Sequence, residues 1–129
     1  EKFDGIVYAV FVSLGFAAVE NVLYVAGYGI QTALIRAFTA VPAHAIFGIM
    51  MGYYLGLAKF IPDKRAIYMI LALIVPIFFH GFYDFILMAK NHILLLAFIP
   101  LLVVMFIMGL RKMKRLSDAS IFKTSKENE

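Results

Sequence analysis

The chain has 129 residues, of which 64% are hydrophobic and only 16% charged, with a formal net charge of +4. A soluble domain is about half apolar and a quarter charged, so this composition points to a membrane protein. It contains no cysteine, which excludes disulfides, thiolate metal ligands and a cysteine nucleophile from this chain.

Crossing a bilayer takes about 20 mostly apolar residues, and four runs qualify: 5–28, 34–58, 66–89 and 93–110. Lipid offers the backbone no hydrogen-bond partners, so each run is expected to be a helix. The first run contains "GFAAVEN", which sets Glu20 and Asn21 in an apolar surrounding. The second carries Arg36 near its start, then Pro42, His44 and a ridge of Gly48, Gly52 and Gly56. Small residues at steps of four let helix backbones approach closely, so the ridge predicts tight packing that brings His44 near a neighbour. In the third run, "HGFYD" follows Pro76 and places His80 and Asp84 four residues apart. The prolines predict kinks near both histidines. The fourth run has no charged residue.

The expected fold is therefore all-α: a polytopic membrane helical bundle with about four transmembrane helices, occupying residues 1–110 as one unit. Residues 111–129 read as a basic, cytoplasmic, disordered tail, because beyond Ser117 only Ile121 and Phe122 are large and apolar. The positive charges lie in "KFIPDKR" (59–65) and "RKMKR" (111–115), next to apolar runs, so they speak for membrane orientation and against nucleic acid as a partner. By the positive-inside rule the chain is multi-pass in the cell membrane with its C-terminus cytoplasmic, and Lys90 in an outer turn is a mild dissent. The first residue is not Met, and no basic leader with a cleavage site precedes the first run, so the chain is expected to be part of a longer protein.

Only three of the twenty charged side chains, Glu20, Arg36 and Asp84, fall inside the apolar runs. An ionisable group at mid-helix costs very roughly 2.5 to 3.5 kcal/mol on insertion scales, so it counts as a functional hypothesis by default. At a rise of ~1.5 Å per residue, Glu20, His44 and His80 lie at one depth, some 12 to 15 Å below the outer surface. Asp84, one turn from His80, is expected to orient its imidazole or to act as a ligand itself. Asn21 reads as interhelical glue. Arg36 reads as a snorkelling residue, with pairing to Asp84 as the alternative.

Two imidazoles and a carboxylate suit a divalent metal such as zinc, which would lower the pKa of a water and polarise a carbonyl. A metal-free arrangement, with Glu20 activating water and a histidine as acid or oxyanion donor, is equally compatible with the residues. There is no HExxH motif and no second aspartate within the spans, and Ser13 lies two turns from Glu20. A proton- or ion-coupled transporter built on Glu20, His44, His80 and Asp84 is the alternative reading, and it requires a path open to both sides. A third is a scaffold whose polar residues only join helices.

The stretches "FDGIVYAVFVSLGFAAVENVLYV", "RAFTAVPAHAIFGIMMGYYLG" and "PIFFHGFYDFIL" resemble the PrsW family of bacterial intramembrane proteases, itself distantly similar to the CAAX-processing proteases. The resemblance covers about the first 110 residues. It implies that the family's FxxxEN motif falls on Phe16, Glu20 and Asn21, its second-helix histidine on His44, and its histidine–aspartate pair on His80 and Asp84. Glu20, His44 and His80 are then the expected catalytic residues and tentative metal ligands, with Asn21, Asp84 and Arg36 supporting. The family's paired-glutamate motif on an earlier helix is absent here, so this chain is expected to be the C-terminal portion of the protein. The implied activity is site-1 cleavage of single-pass membrane regulators, of which an anti-sigma factor is the known kind. The implied partners are thus a membrane-anchored protein substrate and the lipid bilayer.

Overall fold

The structure is a computed structural model and describes residues 1–89 and 91–120. Five α-helices make it up, α1 (Asp4–Tyr28), α2 (Ile30–Phe38), α3 (Ala40–Phe60), α4 (Arg65–Met88) and α5 (His92–Asp118), with a 3₁₀ turn at Pro62–Lys64 before α4. Four of them, all but α2, are long and apolar enough to cross a membrane. The described residues contain no strand.

The second apolar run is not one helix. It is broken at Thr39, which separates the short α2 from α3. Pro42 explains the break: it has no N–H to give the Phe38 carbonyl four residues back, and its ring would collide with that carbonyl. Pro42 thus stands in the first turn of α3 instead of kinking its interior. The Thr39 hydroxyl donates to the Ile35 carbonyl at 2.9 Å, closing the end of α2. The turn from α1 into α2 is made at Gly29, whose φ of 86° is open to glycine at little steric cost.

The last helix also departs from expectation. It continues through the basic stretch to Asp118, so residues 111–118 are helical. Lys90 and residues 121–129, on which the outer-turn charge and nearly half of the expected tail fall, lie outside the described residues.

The centre of the bundle is α3. Of its apolar window 61% is buried, against 17%, 22% and 11% for those of α1, α4 and α5. The glycine ridge provides that centrality. A Cβ at Gly48 would stand 2.8 Å from Val10 Cα, one at Gly52 would overlap the Gly5 carbonyl and Ile6 Cα, and one at Gly56 would overlap the Lys2 carbonyl. α1 is therefore seated directly on the backbone of α3. On the opposite side Gly109 of α5 sits against Ile46. Met50, Ile86 and Met105 fill the core with no exposure beyond 1%. The outer surface is apolar, with Phe11 and Leu96 each more than 70% exposed. That inversion is what a surface facing lipid requires, since lipid does not penalise exposed hydrocarbon.

Candidate functional site

Close seating of α1 on α3 determines which side chains meet. Ser13 donates its hydroxyl to the His44 carbonyl at 2.6 Å, tying the two helices together beside the site. This engagement gives Ser13 a structural part and leaves its hydroxyl committed. Two turns further along α1, Glu20 reaches α3, and its Oε2 lies 3.0 Å from His44 Nε2. His44 is 4% exposed and is the one polar residue in the buried set among the described residues. With Glu20 ionised, the carboxylate accepts and His44 Nε2 carries the hydrogen.

α4 brings the second imidazole. The rings of His44 and His80 lie 4.8 Å apart between centroids and nearly perpendicular, at 81°. Phe47, one turn along from His44, stacks on His80 at 5.2 Å and 18°. Phe16, one turn before Glu20, stands 5.7 Å from His44 and 6.4 Å from His80. These two phenylalanines wall the imidazoles with aromatic surface, which restricts their rotation and excludes water from that side. His80 Nε2 lies 3.4 Å from Asp84 Oδ2, the contact expected from their spacing along one helix face.

Arg36 is where the structure departs most from the sequence reading. It neither snorkels freely nor pairs with Asp84. Its Nη2 donates to Glu20 Oε2 at 2.6 Å and its Nε donates to Asn21 Oδ1 at 2.9 Å. The guanidinium also lies over the ring of Tyr24, 4.0 Å from its centroid. Neighbouring residues of α1 thus receive one arginine as a fork. The break at Thr39 makes this possible, because α2 leaves the line of α3 and Arg36 can turn back toward α1. The sequence signal was present in the isolated carboxylate and isolated guanidinium, but their pairing depends on the direction α2 takes.

Glu20, His44 and His80 each offer one ligand atom, and these atoms lie within 4.8 Å of one another. Ligand atoms of a tetrahedral zinc ion, at bonds of ~2.0–2.2 Å, stand about 3.5 Å apart, so small side-chain rotations close the set. Two imidazoles and a carboxylate are also the donor chemistry that zinc accepts in open sites. The residues therefore fit a divalent cation.

Fold and site together define a polytopic, all-helical membrane protein with a carboxylate and two imidazoles joined across three of its helices. Comparison with known proteins places that class more narrowly. Residues 1–110 match the family described as PrsW family intramembrane metalloprotease, and the chain belongs to that family. It is 46% identical over 118 residues to Protease PrsW of Shouchella clausii (strain KSM-K16), covering 92% of this chain and 55% of that protein. Protease PrsW of Bacillus subtilis (strain 168) is 47% identical over 116 residues, 89% of this chain and 53% of that one. The Clostridioides difficile (strain 630) relative of the same name is 36% identical over 126 residues, 93% and 53%. The chain thus spans about half the length of the curated relatives it matches. No solved structure matches it.

Proposed function

We propose that this chain carries the water-activating centre of an intramembrane protease that cleaves single-pass membrane proteins. The observation that carries the reading is the convergence of Glu20, His44 and His80, from three separate helices, within 4.8 Å. Placing such groups in lipid is costly, so three of them brought together there support a functional centre.

In the metal-dependent form, Glu20, His44 and His80 hold a divalent cation, with zinc the best match to the donors. Such a cation, when bound, polarises the scissile carbonyl and makes water acidic enough to attack near neutral pH. Asp84 orients the His80 ring. Arg36 holds the Glu20 carboxylate in its aim. Phe16 and Phe47 hold the two imidazoles in register and keep that wall dry.

The family and the depth of the site support a reading of the substrate class. The site lies nearer the α2 end of the bundle, away from the end that carries Lys59, Lys64, Arg65, Arg111 and Lys112. If the basic end is cytoplasmic, by the positive-inside rule, cleavage falls toward the extracytoplasmic side. A single-pass regulator of the anti-sigma-factor type, cut at its first site, fits that position.

The test is made on the full-length protein in membranes or detergent, with a single-pass reporter as substrate. Wild type should cleave it and carry about one divalent metal per chain. His44→Ala, His80→Ala and Glu20→Gln, folded to the same extent, should lose both. Cleavage by wild type without bound metal would leave the glutamate–histidine acid–base form of the reading. Unimpaired cleavage by His80→Ala would overturn both forms.

A further inference from the structure

His44 and His80 stand at the head of a groove. A cavity of about 340 Å³ has both imidazoles on its wall, with Val12 of α1, Met51 of α3 and Ile77 of α4 among the apolar groups around it. A second cavity, of about 490 Å³, continues along the seam of α1 and α3 past Leu55 to Asp4 and Lys59. Val12 and Met51 line both cavities, so the two join end to end there. Lys59 follows His44 by fifteen residues of α3, about 22 Å at the rise of a helix. The groove thus runs from the site toward the basic end of the bundle, through most of a hydrocarbon layer about 30 Å thick.

Its open side faces lipid. α1 and α4 each pack on α3 and scarcely on one another, which leaves a gap between them above a floor made by Phe47 and Met51. A peptide arriving from water would have to shed the hydration of its polar groups to pass between these walls, whereas an apolar segment arriving from lipid exchanges one hydrocarbon surface for another. The head of the groove narrows the occupant further. An acyl chain offers nothing to two imidazoles, but a polypeptide brings a carbonyl to them. A helix seated there permanently would seal this face of His44 and His80 against any peptide bond.

We propose that the groove is the docking site for the transmembrane segment of the substrate, holding the portion between the scissile bond and the basic end of the bundle, with Met51 as a specificity-determining residue. The inference rests on the proteolytic reading of Glu20, His44 and His80. A helix screens its backbone with side chains and keeps its carbonyls bonded, so the segment unwinds where it presents the scissile carbonyl. Met51 lies seven residues beyond His44, about 10 Å along the axis. Extended chain covers about 3.3 Å per residue, so Met51 meets the third side chain from the scissile bond. Its flexible thioether adapts to apolar side chains of different shape, and its length sets the largest one admitted.

The experiment couples the full-length protein to a single-pass reporter in proteoliposomes through single cysteines, of which this chain contributes none natively. Ile77 and Phe78 form a matched pair: each is 63% exposed and they are neighbours in depth, but only Ile77 lines the groove. A reporter scanned with one cysteine along its membrane segment should couple through a short bismaleimide to Met51→Cys and Ile77→Cys at least ~10-fold more than to Phe78→Cys. The yield with Met51→Cys should peak about three residues from the cleaved bond, on its basic-end side. Equal coupling at Ile77→Cys and Phe78→Cys would reduce the contact to collision in the bilayer and overturn the proposal. No coupling at either groove position, in variants that still cleave the reporter, would mean that lipid or a segment outside this chain fills the groove, and would overturn it as well. Met51→Ala should raise kcat/KM for a reporter with Trp at the third position, relative to one with Ala there, by about 10-fold or more, the scale on which a pocket discriminates side-chain size. An unchanged ratio would overturn the role of Met51. Coupling needs no turnover, so docking and the proteolytic reading fail separately: the latter fails if His80→Ala still cleaves.

Discussion

Arg36 Nη2 stands 2.6 Å from Glu20 Oε2, and the same oxygen lies 3.0 Å from His44 Nε2. One carboxylate oxygen is therefore shared by a permanent cation on α2 and an imidazole on α3. Both charged side chains are largely enclosed, 12% and 20% exposed. In such surroundings the guanidinium compensates the carboxylate where water cannot.

Removing that compensation should be costly. Arg36→Gln is expected to destabilise the folded protein by up to about 3 kcal/mol, because the largely enclosed Glu20 carboxylate loses its permanent cation and keeps only the His44 imidazole. Arg36→Lys should recover part of the loss, as a point charge can approach Glu20 but cannot also serve Asn21 as a fork. Chemical unfolding in detergent measures both. Equal stability of wild type and Arg36→Gln would show that the pair does not hold α2.

Asp84 acts through His80, so its removal should be milder than removal of the imidazole. Asp84→Asn is expected to lower cleavage or metal affinity about 10 to 100-fold, the usual cost of losing a partner that orients a ligand. His80→Ala should lower cleavage by on the order of 10² to 10⁴. Reporter cleavage rates with both variants rank the two roles, and an Asp84→Asn effect as large as that of His80→Ala would make Asp84 a direct participant.

The glycines of α3 make a prediction with an internal control. Gly52→Val puts side-chain carbon into the Gly5 carbonyl and Ile6 Cα, which are backbone and cannot rotate away. α1 must lift off α3, with a loss of at least ~1–3 kcal/mol and separation of Glu20 from His44. Gly15→Ala meets nothing within 4 Å and should leave stability and cleavage intact. Thermal stability in detergent, read together with metal content, compares the two.

Pro42 predicts a change in helix path. With Pro42→Ala the Phe38 carbonyl gains an N–H partner, and α2 can run straight into α3. Arg36 would then be carried away from Glu20. A double-mutant cycle of Pro42→Ala with Arg36→Gln should be non-additive, the second substitution costing little once the first is present. Additive losses would show that the break does not place Arg36.

Several features of this protein follow from the sequence alone. The four long helices are visible because lipid demands unbroken apolar runs of a known length, and the common depth of Glu20, His44 and His80 follows from the fixed rise of a helix. The His80–Asp84 contact is likewise local, set by four residues on one face. Ionisable residues in such runs mark a candidate site by themselves, because lipid makes them costly to keep.

Rotation and partnership were decided only in three dimensions. Depth depends on residue count along one helix, whereas azimuth depends on what another helix presses against it. The seating of α1 on Gly48, Gly52 and Gly56 turns Glu20 toward His44. The break at Thr39 gives Arg36 to Glu20 and not to Asp84. No periodicity in the chain encodes these pairings, because each is the joint outcome of contacts between segments distant in sequence.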